Sequence, residues 1–312
     1  VRKQATELGL NADIAEEIAK ILISYSVDSQ NEIHLRGKAK APEKDASKVL
    51  VIGGGGGMGR WLVQFFSSFQ YEVMVLDKLK GDLDVKIKRV SNLSKAACVA
   101  DIIIVATPIT QIADILDDLS ELKTKALIFD ISSLKSPVLR SIKLAQKKGL
   151  RIGSIHPMFG PGSQMLAGKN ILICETEDKQ ITKDIETLFK STTASLIRIP
   201  LERHDELAGY LLGLAHFHNL IFGRVLKQSG YGYKRFKSLA STTFKNQIDV
   251  TTGVLGENTN LYYEIQAENN FTPTIIEQLR GAIHEYADAI LRRDRSRFKD
   301  LMRESLDYFN HK

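Results

Sequence analysis

The chain has 312 residues, 43% of them hydrophobic and 26% charged, with 43 basic against 37 acidic side chains; that length supports two domains, each with its own core. No apolar run approaches the ~20 residues of a membrane span, and no basic block interleaved with aromatics marks a nucleic-acid binder. The two cysteines, Cys98 and Cys174, form neither a disulfide framework nor a metal-spaced cluster, so a reducing, cytoplasmic setting without a metal centre is expected.

The net charge of +6 favours small anionic partners over nucleic acid. The first residue is Val1 and no charged, apolar leader follows it, which reads as a start inside a longer protein. "NADIAEEIAKILISYSVDSQ" sets Ile14, Ile18, Ile21, Leu22 and Tyr25 at helical spacing behind Asn11, a suitable N-cap. A single amphipathic helix cannot bury its apolar face alone. "NEIHLRGKAKAPEKDAS" is polar and carries Pro42, and so reads as a linker.

From residue 48 short apolar strands alternate with helices, with strands expected near 48–52, 72–77, 102–106, 126–130, 151–155 and 170–174. That alternation predicts an α/β domain: a mostly parallel sheet with helices on both faces. Past residue 200 only helical periodicity remains, near 202–229, 235–253 and 272–309. An all-helical domain therefore follows.

In "KVLVIGGGGGMGRWL", Gly54, Gly56 and Gly59 satisfy G-x-G-x-x-G directly after a strand and at the start of a helix, with Met58 inside the motif. Glycines there permit a sharp turn, let a pyrophosphate approach the backbone, and bring helix and strand close together. The helix N–H groups and dipole favour the phosphates. The second strand, "YEVMVLD", ends in Asp77, placed to accept hydrogen bonds from ribose hydroxyls. Because its charge repels a 2′-phosphate, NAD is favoured over NADP, although Lys78 lies beside it.

Thr107 and Pro108 end the next strand in "DIIIVATPIT", where ligands bind in open α/β sheets; Pro108 serves equally well to open a helix. "LIFDISSLKSP" puts Ser132, Ser133 and Lys135 at the same edge, and a serine there can be a helix cap and nothing more. "IGSIHPMFGPGSQ" adds His156, held by Pro157 and Pro161. An isolated loop histidine is more often structural than catalytic. A rigidly presented imidazole at a strand end, however, is suited to accepting a hydroxyl proton at neutral pH.

"VIGGGGGMGR", "VATPI", "DISSLKS", "HPMFGP" and "RHDELAGYLLGLAHF" together resemble the prephenate dehydrogenase family, specifically the dehydrogenase part of bifunctional chorismate mutase/prephenate dehydrogenases. The likeness runs from about residue 48 to the C-terminus. The first segment resembles the last helix of an AroQ-type chorismate mutase, with Gln30 matching a substrate-contacting glutamine. The expected layout is a mutase-like remnant over 1–30, a linker over 31–47, a Rossmann-type dinucleotide-binding domain over 48–200, and a helical substrate and dimerisation domain over 201–312.

The resemblance implies NAD-dependent oxidative decarboxylation of prephenate to 4-hydroxyphenylpyruvate in tyrosine biosynthesis, with arogenate and 4-amino-4-deoxyprephenate as alternative substrates. It implies His156 as base, Ser133 as a residue orienting the hydroxyl, Lys135 and His216 near the substrate, and a homodimer formed through the C-terminal helices. His204 opens the "HD" step and suits capping or pairing at a helix start, while His216 and His218, two apart on one helix, diverge too far for a metal pair. In relatives an arginine of the helical domain holds the ring carboxylate through a two-pronged contact. Alignment through "NLYYEI" puts Gly253 at that position, with Lys245 two turns earlier where relatives carry another basic residue. Lysine is a point charge and does not reproduce the fork. A non-catalytic dinucleotide-binding regulator would need only the glycine loop and Asp77, leaving Ser133 with His156 unexplained.

Overall fold

A computed structural model of the chain describes residues 1–38, 47–78, 87–163 and 165–310. The chain divides into two compact units, Val1–His204 and Asp205–Lys312. Among the described residues, no helix is long and apolar enough to cross a membrane.

The first unit opens with α1 (Arg2–Glu7) and α2 (Ala12–Lys38). Asn11 caps α2 as expected, its Oδ1 accepting from the backbone N–H groups of Asp13 and Ile14. Helix α2 runs on to Lys38, through the stretch where a linker is expected from residue 31. The further part of that linker, 39–46, lies outside the described residues.

Then follow β1 (Lys48–Ile52), α3 (Gly57–Ser68), β2 (Glu72–Leu76), β3 (Lys88–Val90), α4 (Leu93–Val99), β4 (Ile102–Val105), α5 (Ile109–Ser120), β5 (Leu127–Asp130), α6 (Ser136–Lys147), β6 (Arg151–Pro157), β7 (Asn170–Glu175), α7 (Lys179–Phe189) and β8 (Ser195–Pro200). All eight strands join one sheet in the order β3-β2-β1-β4-β5-β6-β7-β8. Neighbours are parallel except β6 and β7. Strands β3 and β8 are absent from the sequence expectation. "KRV" has no apolar run and becomes a strand through its pairing with Met74–Leu76, while β8 is a largely exposed edge.

Both faces of the sheet are covered because β1 alternates its side chains. Leu50 and Ile52 join Ile112 and Leu116 of α5 and Val138 and Ile142 of α6. Val49 and Val51 join Leu62, Val63 and Phe66 of α3 and Ile185 and Phe189 of α7. Each such side chain, fully buried, contributes about 1.5–3 kcal/mol. A charge placed at Val51 would find no water and no partner between the layers.

The second unit contains the remainder of α8 (His204–Ala208), a wide π-helical stretch at Gly209–Leu214, α9 (Ala215–Gln228), α10 (Tyr233–Leu239), α11 (Thr242–Leu255), α12 (Thr259–Ala267), α13 (Thr272–Leu291) and α14 (Arg295–Asn310). Two spans expected as single helices are broken. Ser241 stops one by capping α11, its Oγ accepting from the Phe244 N–H. Arg293, at φ 56°, turns the chain out of the other, and Asp294 caps the next helix at the Arg297 N–H. Helix α12, also unexpected, starts at Asn258, whose Oδ1 accepts from Asn260 and Leu261.

Candidate functional site

Because β1, β2, β4, β5 and β6 run parallel, their carboxyl ends share one edge of the sheet. The order reverses between β1 and β4, which opens a crevice there. The first-unit residues singled out in the sequence stand at or just beyond these strand ends.

After β1 the chain turns through Gly53, whose φ of 87° is a conformation L side chains rarely adopt; a Cβ there would lie 2.6 Å from the Ala106 carbonyl oxygen. The motif glycines start one residue later, so Gly53 is a requirement the spacing alone does not single out. Gly59 is enforced most strongly, since its Cβ would sit 2.0 Å from the Gly53 oxygen. Gly54 lies against Val75, Gly56 is the N-cap of α3, and Met58 falls in the helix's first turn. The N–H groups of that turn have no intrahelical acceptor and suit a phosphate.

Asp77 follows β2, and its Oδ2 accepts from the Gly55 N–H at 2.7 Å. It therefore braces the glycine loop, a job the sequence does not announce. Thr107 follows β4; its Oγ1 is buried without a hydrogen-bond partner in the protein. A buried hydroxyl in that condition is satisfied by a bound group or water, which fits a cofactor in the crevice. Pro108 is the N-cap of α5, just ahead of its first residue.

Lys135 follows β5 as the N-cap of α6. Lys135, placed near the substrate by resemblance, is 1% exposed. Its Nζ lies 3.0 Å from Asp130 Oδ1, 2.8 Å from the Ser132 carbonyl, 3.2 Å from Ser132 Oγ and 2.7 Å from the Ile155 carbonyl. An ammonium has three hydrogens, and these internal acceptors account for them. Ser132 Oγ donates within this cluster, close to Asp130 Oδ1 and the Leu134 carbonyl. Ser133 is half-buried beside it.

His156 is the second-to-last residue of β6, opposite Leu172 of β7, and is 4% exposed. Its Nδ1 stands 2.9 Å from Nε2 of His204, which is 1% exposed. The loop after His156 is tied to α3: Trp61 Nε1 donates to the Ser163 carbonyl at 3.0 Å, and Phe159 meets the Trp61 ring edge-on at 5.1 Å. Pro161 packs over Gly57, where a Cβ would come within 2.9 Å of its ring. These contacts fix the histidine-bearing segment beside the helix that carries the glycine motif.

In the second unit, His216 stacks on Tyr262 with ring centroids 4.2 Å apart, and burial pushes its pKa below the usual histidine value. Its Nδ1 is buried without a partner. His218 lines an apolar groove with Ile221, Phe222 and Tyr286. Lys245 and Gly253 are both exposed on α11, and a Cβ on Gly253 would meet nothing within 4 Å.

Comparison with known proteins bears on the family and the fold. A curated relative from Methanocaldococcus jannaschii, named probable arogenate/prephenate dehydrogenase, is 27% identical over 84% of this chain and 60% of its own length. The chain thus spans less than two thirds of that relative. A T-protein from Haemophilus influenzae is 22% identical over 99% of this chain and 78% of its own length. The fold matches the crystal structure of prephenate dehydrogenase from A. aeolicus in complex with hydroxyphenyl propionate and NAD+, with a TM-score of 0.68 and 16% identity over 86% of this chain and 100% of that one. Residues 74–198 match the family description "Prephenate dehydrogenase, nucleotide-binding domain". Since residues 200–304 match "Prephenate dehydrogenase, dimerization domain" as well, the chain belongs to the prephenate dehydrogenase family of oxidoreductases.

Proposed function

We propose that this chain oxidises prephenate with NAD, yielding 4-hydroxyphenylpyruvate and carbon dioxide. The observation that carries the reading is His156, buried at the carboxyl end of β6 on the same sheet edge as the glycine loop. The N-terminus of α3, where Gly56 is the N-cap and Met58 and Gly59 lie in the first turn, would receive the pyrophosphate, and Gly54 and Gly59 let the loop and helix pack closely enough to form it. A carboxylate can accept several hydrogen bonds, so Asp77 receives the adenosine ribose while it braces Gly55. Thr107 and Pro108 border the crevice, and the Thr107 hydroxyl gains a partner there.

When bound, NAD supplies the acceptor for the hydride that leaves the ring carbon bearing the hydroxyl. His156 takes the hydroxyl proton, and Ser133 orients that hydroxyl. Loss of the ring carboxylate as carbon dioxide follows because it makes the ring aromatic. The resemblance also assigns His216 and Lys245 of the helical domain to substrate binding. The protein works as a homodimer in the cytoplasm, and residues 1–30 are the tail of a chorismate mutase-like domain. The alignment of 99% of the chain with a T-protein supports that last reading.

Arogenate is the second reading, supported by the name of the Methanocaldococcus relative. Incubation with NAD and prephenate, arogenate or 4-amino-4-deoxyprephenate, followed at the NADH absorbance, separates the substrates and tests the reaction. His156→Asn lowers kcat at least ~100-fold with NAD binding nearly intact, as general-base losses do. Comparable turnover in that variant overturns the role given to His156.

A further inference from the structure

Two imidazoles in hydrogen-bond contact hold one hydrogen between them, and the ring that owns it dictates what each can do. His156 Nδ1 and His204 Nε2 are 2.9 Å apart, with the rings tilted by 47°. Both side chains are buried, at 4% and 1% exposure. A doubly cationic pair at that depth would combine desolvation with like-charge repulsion, so at neutral pH one nitrogen donates and the other accepts.

The two arrangements have opposite consequences. If His204 donates, a neutral His156 must carry its hydrogen on Nε2 and has no lone pair there to accept a proton. If His156 donates through Nδ1–H, its Nε2 keeps the lone pair. Proton uptake at Nε2 then leaves the bond to His204 unchanged. The second arrangement alone lets His156 act as a base without a prior change of tautomer.

His204 is also held as such a role requires. The tight turn Leu201–Arg203 delivers it from the end of β8. Leu201 sits in the same core as Val138 and Ile142, and Glu202 pairs with Lys143 of α6 at 2.8 Å. The acceptor is therefore held by the buried packing of the turn that carries it, with an exposed ion pair at the turn's surface.

We propose that His204 is a positioning residue that holds His156 in the Nδ1–H tautomer, keeping Nε2 ready to receive the substrate's hydroxyl proton. This rests on the reading of His156 as the base. The tautomer itself belongs to the resting protein and can be measured without substrate.

Histidine ring-15N NMR of the full chain, well above the usual histidine pKa of about 6.5, reads it directly. The expected spectrum shows His156 protonated at Nδ1 and bare at Nε2; protonation at Nε2 overturns the proposal. In the dehydrogenase assay, His204→Leu lowers kcat by roughly 10²-fold or more, as tautomer errors do, while KM for NAD stays within about twofold. His204→Gln, whose side-chain carbonyl accepts from Nδ1–H, restores most of that loss. Wild-type kcat in the Leu variant, or a Gln variant as impaired as Leu, counts against the proposal. Should no substrate be turned over at all, the reaction assignment fails, and the NMR result still decides the tautomer.

Discussion

The ammonium of Lys135 lies 2.7 Å from the carbonyl oxygen of Ile155, the residue immediately before His156. The same ammonium reaches Asp130 Oδ1 at the end of β5, so one buried cation ties two neighbouring strand ends together. Breaking a buried ion pair from one side typically costs about 3–5 kcal/mol, because the partner charge remains buried and uncompensated. Lys135→Met is expected to destabilise by roughly that amount in denaturant unfolding, with Lys135→Met/Asp130→Asn recovering part of it. A single variant within about 0.5 kcal/mol of the parent, the range of an ordinary surface change, would show that the cluster does not hold the strand ends.

Asp77 braces Gly55 and, on the proposed reading, also accepts from the cofactor's ribose, two jobs that substitution can separate. Asp77→Ala removes the ribose acceptor, the repulsion of a 2′-phosphate and the brace on Gly55. It is expected to weaken NAD much more than NADP. Asp77→Asn keeps an oxygen for the Gly55 N–H while losing the charge, and is expected to narrow the preference for NAD with a smaller loss of overall affinity. Titration of both cofactors against both variants checks this; equal losses for NAD and NADP in the Ala variant would contradict it.

What could be read from the sequence follows how locally each feature is encoded. Strand β1 and the glycine turn are written in consecutive residues: four apolar positions, then glycines where Ala106 and Gly53 leave no room for a side chain. Lys135 is different. A lysine two residues past a serine pair reads as solvated, and its burial depends on Ile155, twenty positions away, which only the β5–β6 pairing brings close. His204 was legible only as the start of a helix, because its partner His156 lies 48 positions earlier. Periodicity also runs across the breaks at Ser241 and Arg293, since a cap or a single left-handed residue stops a helix without disturbing the apolar spacing on either side.

His216 makes a pH-dependent contribution whose sign follows from its environment. Burial lowers its pKa in the folded state, so below about 6.5 the unfolded chain takes up a proton that the folded one resists. Folding stability is then fully present above that value and declines as pH falls through the window beneath it. His216→Phe can keep the stack on Tyr262 without a titrating ring. Unfolding measured near pH 7.5 and near pH 5 should show a smaller loss in the variant than in the parent. Equal losses in both proteins would remove His216 as the cause.

Assembly follows from how little of the second unit's apolar surface is covered within one chain. Ile290 and Leu291 of α13 are 59% and 82% exposed, and Leu306, Tyr308 and Phe309 of α14 are 58%, 76% and 78% exposed. A groove of about 530 Å³ runs between α9 and α13, lined by Phe222, Val225, Ile283 and Ile290 among others, almost without polar surface. Contiguous apolar surface of this kind is normally covered, and identical chains cover it with two-fold symmetry. The matched dimerization domain, residues 200–304, takes in α9, α13 and the first part of α14. Helix α14 is held to α13 by the edge-on contact of Phe298 with Tyr286, centroids 5.8 Å apart. A stable dimer is therefore expected in light scattering at micromolar concentration. Deleting residues 296–312 removes Phe298 and the exposed apolar end of α14 together, and should yield a monomer with impaired turnover. A mass near that of one 312-residue chain for the intact protein would rule the dimer out, and a truncated protein that still dimerises would move the interface away from α14.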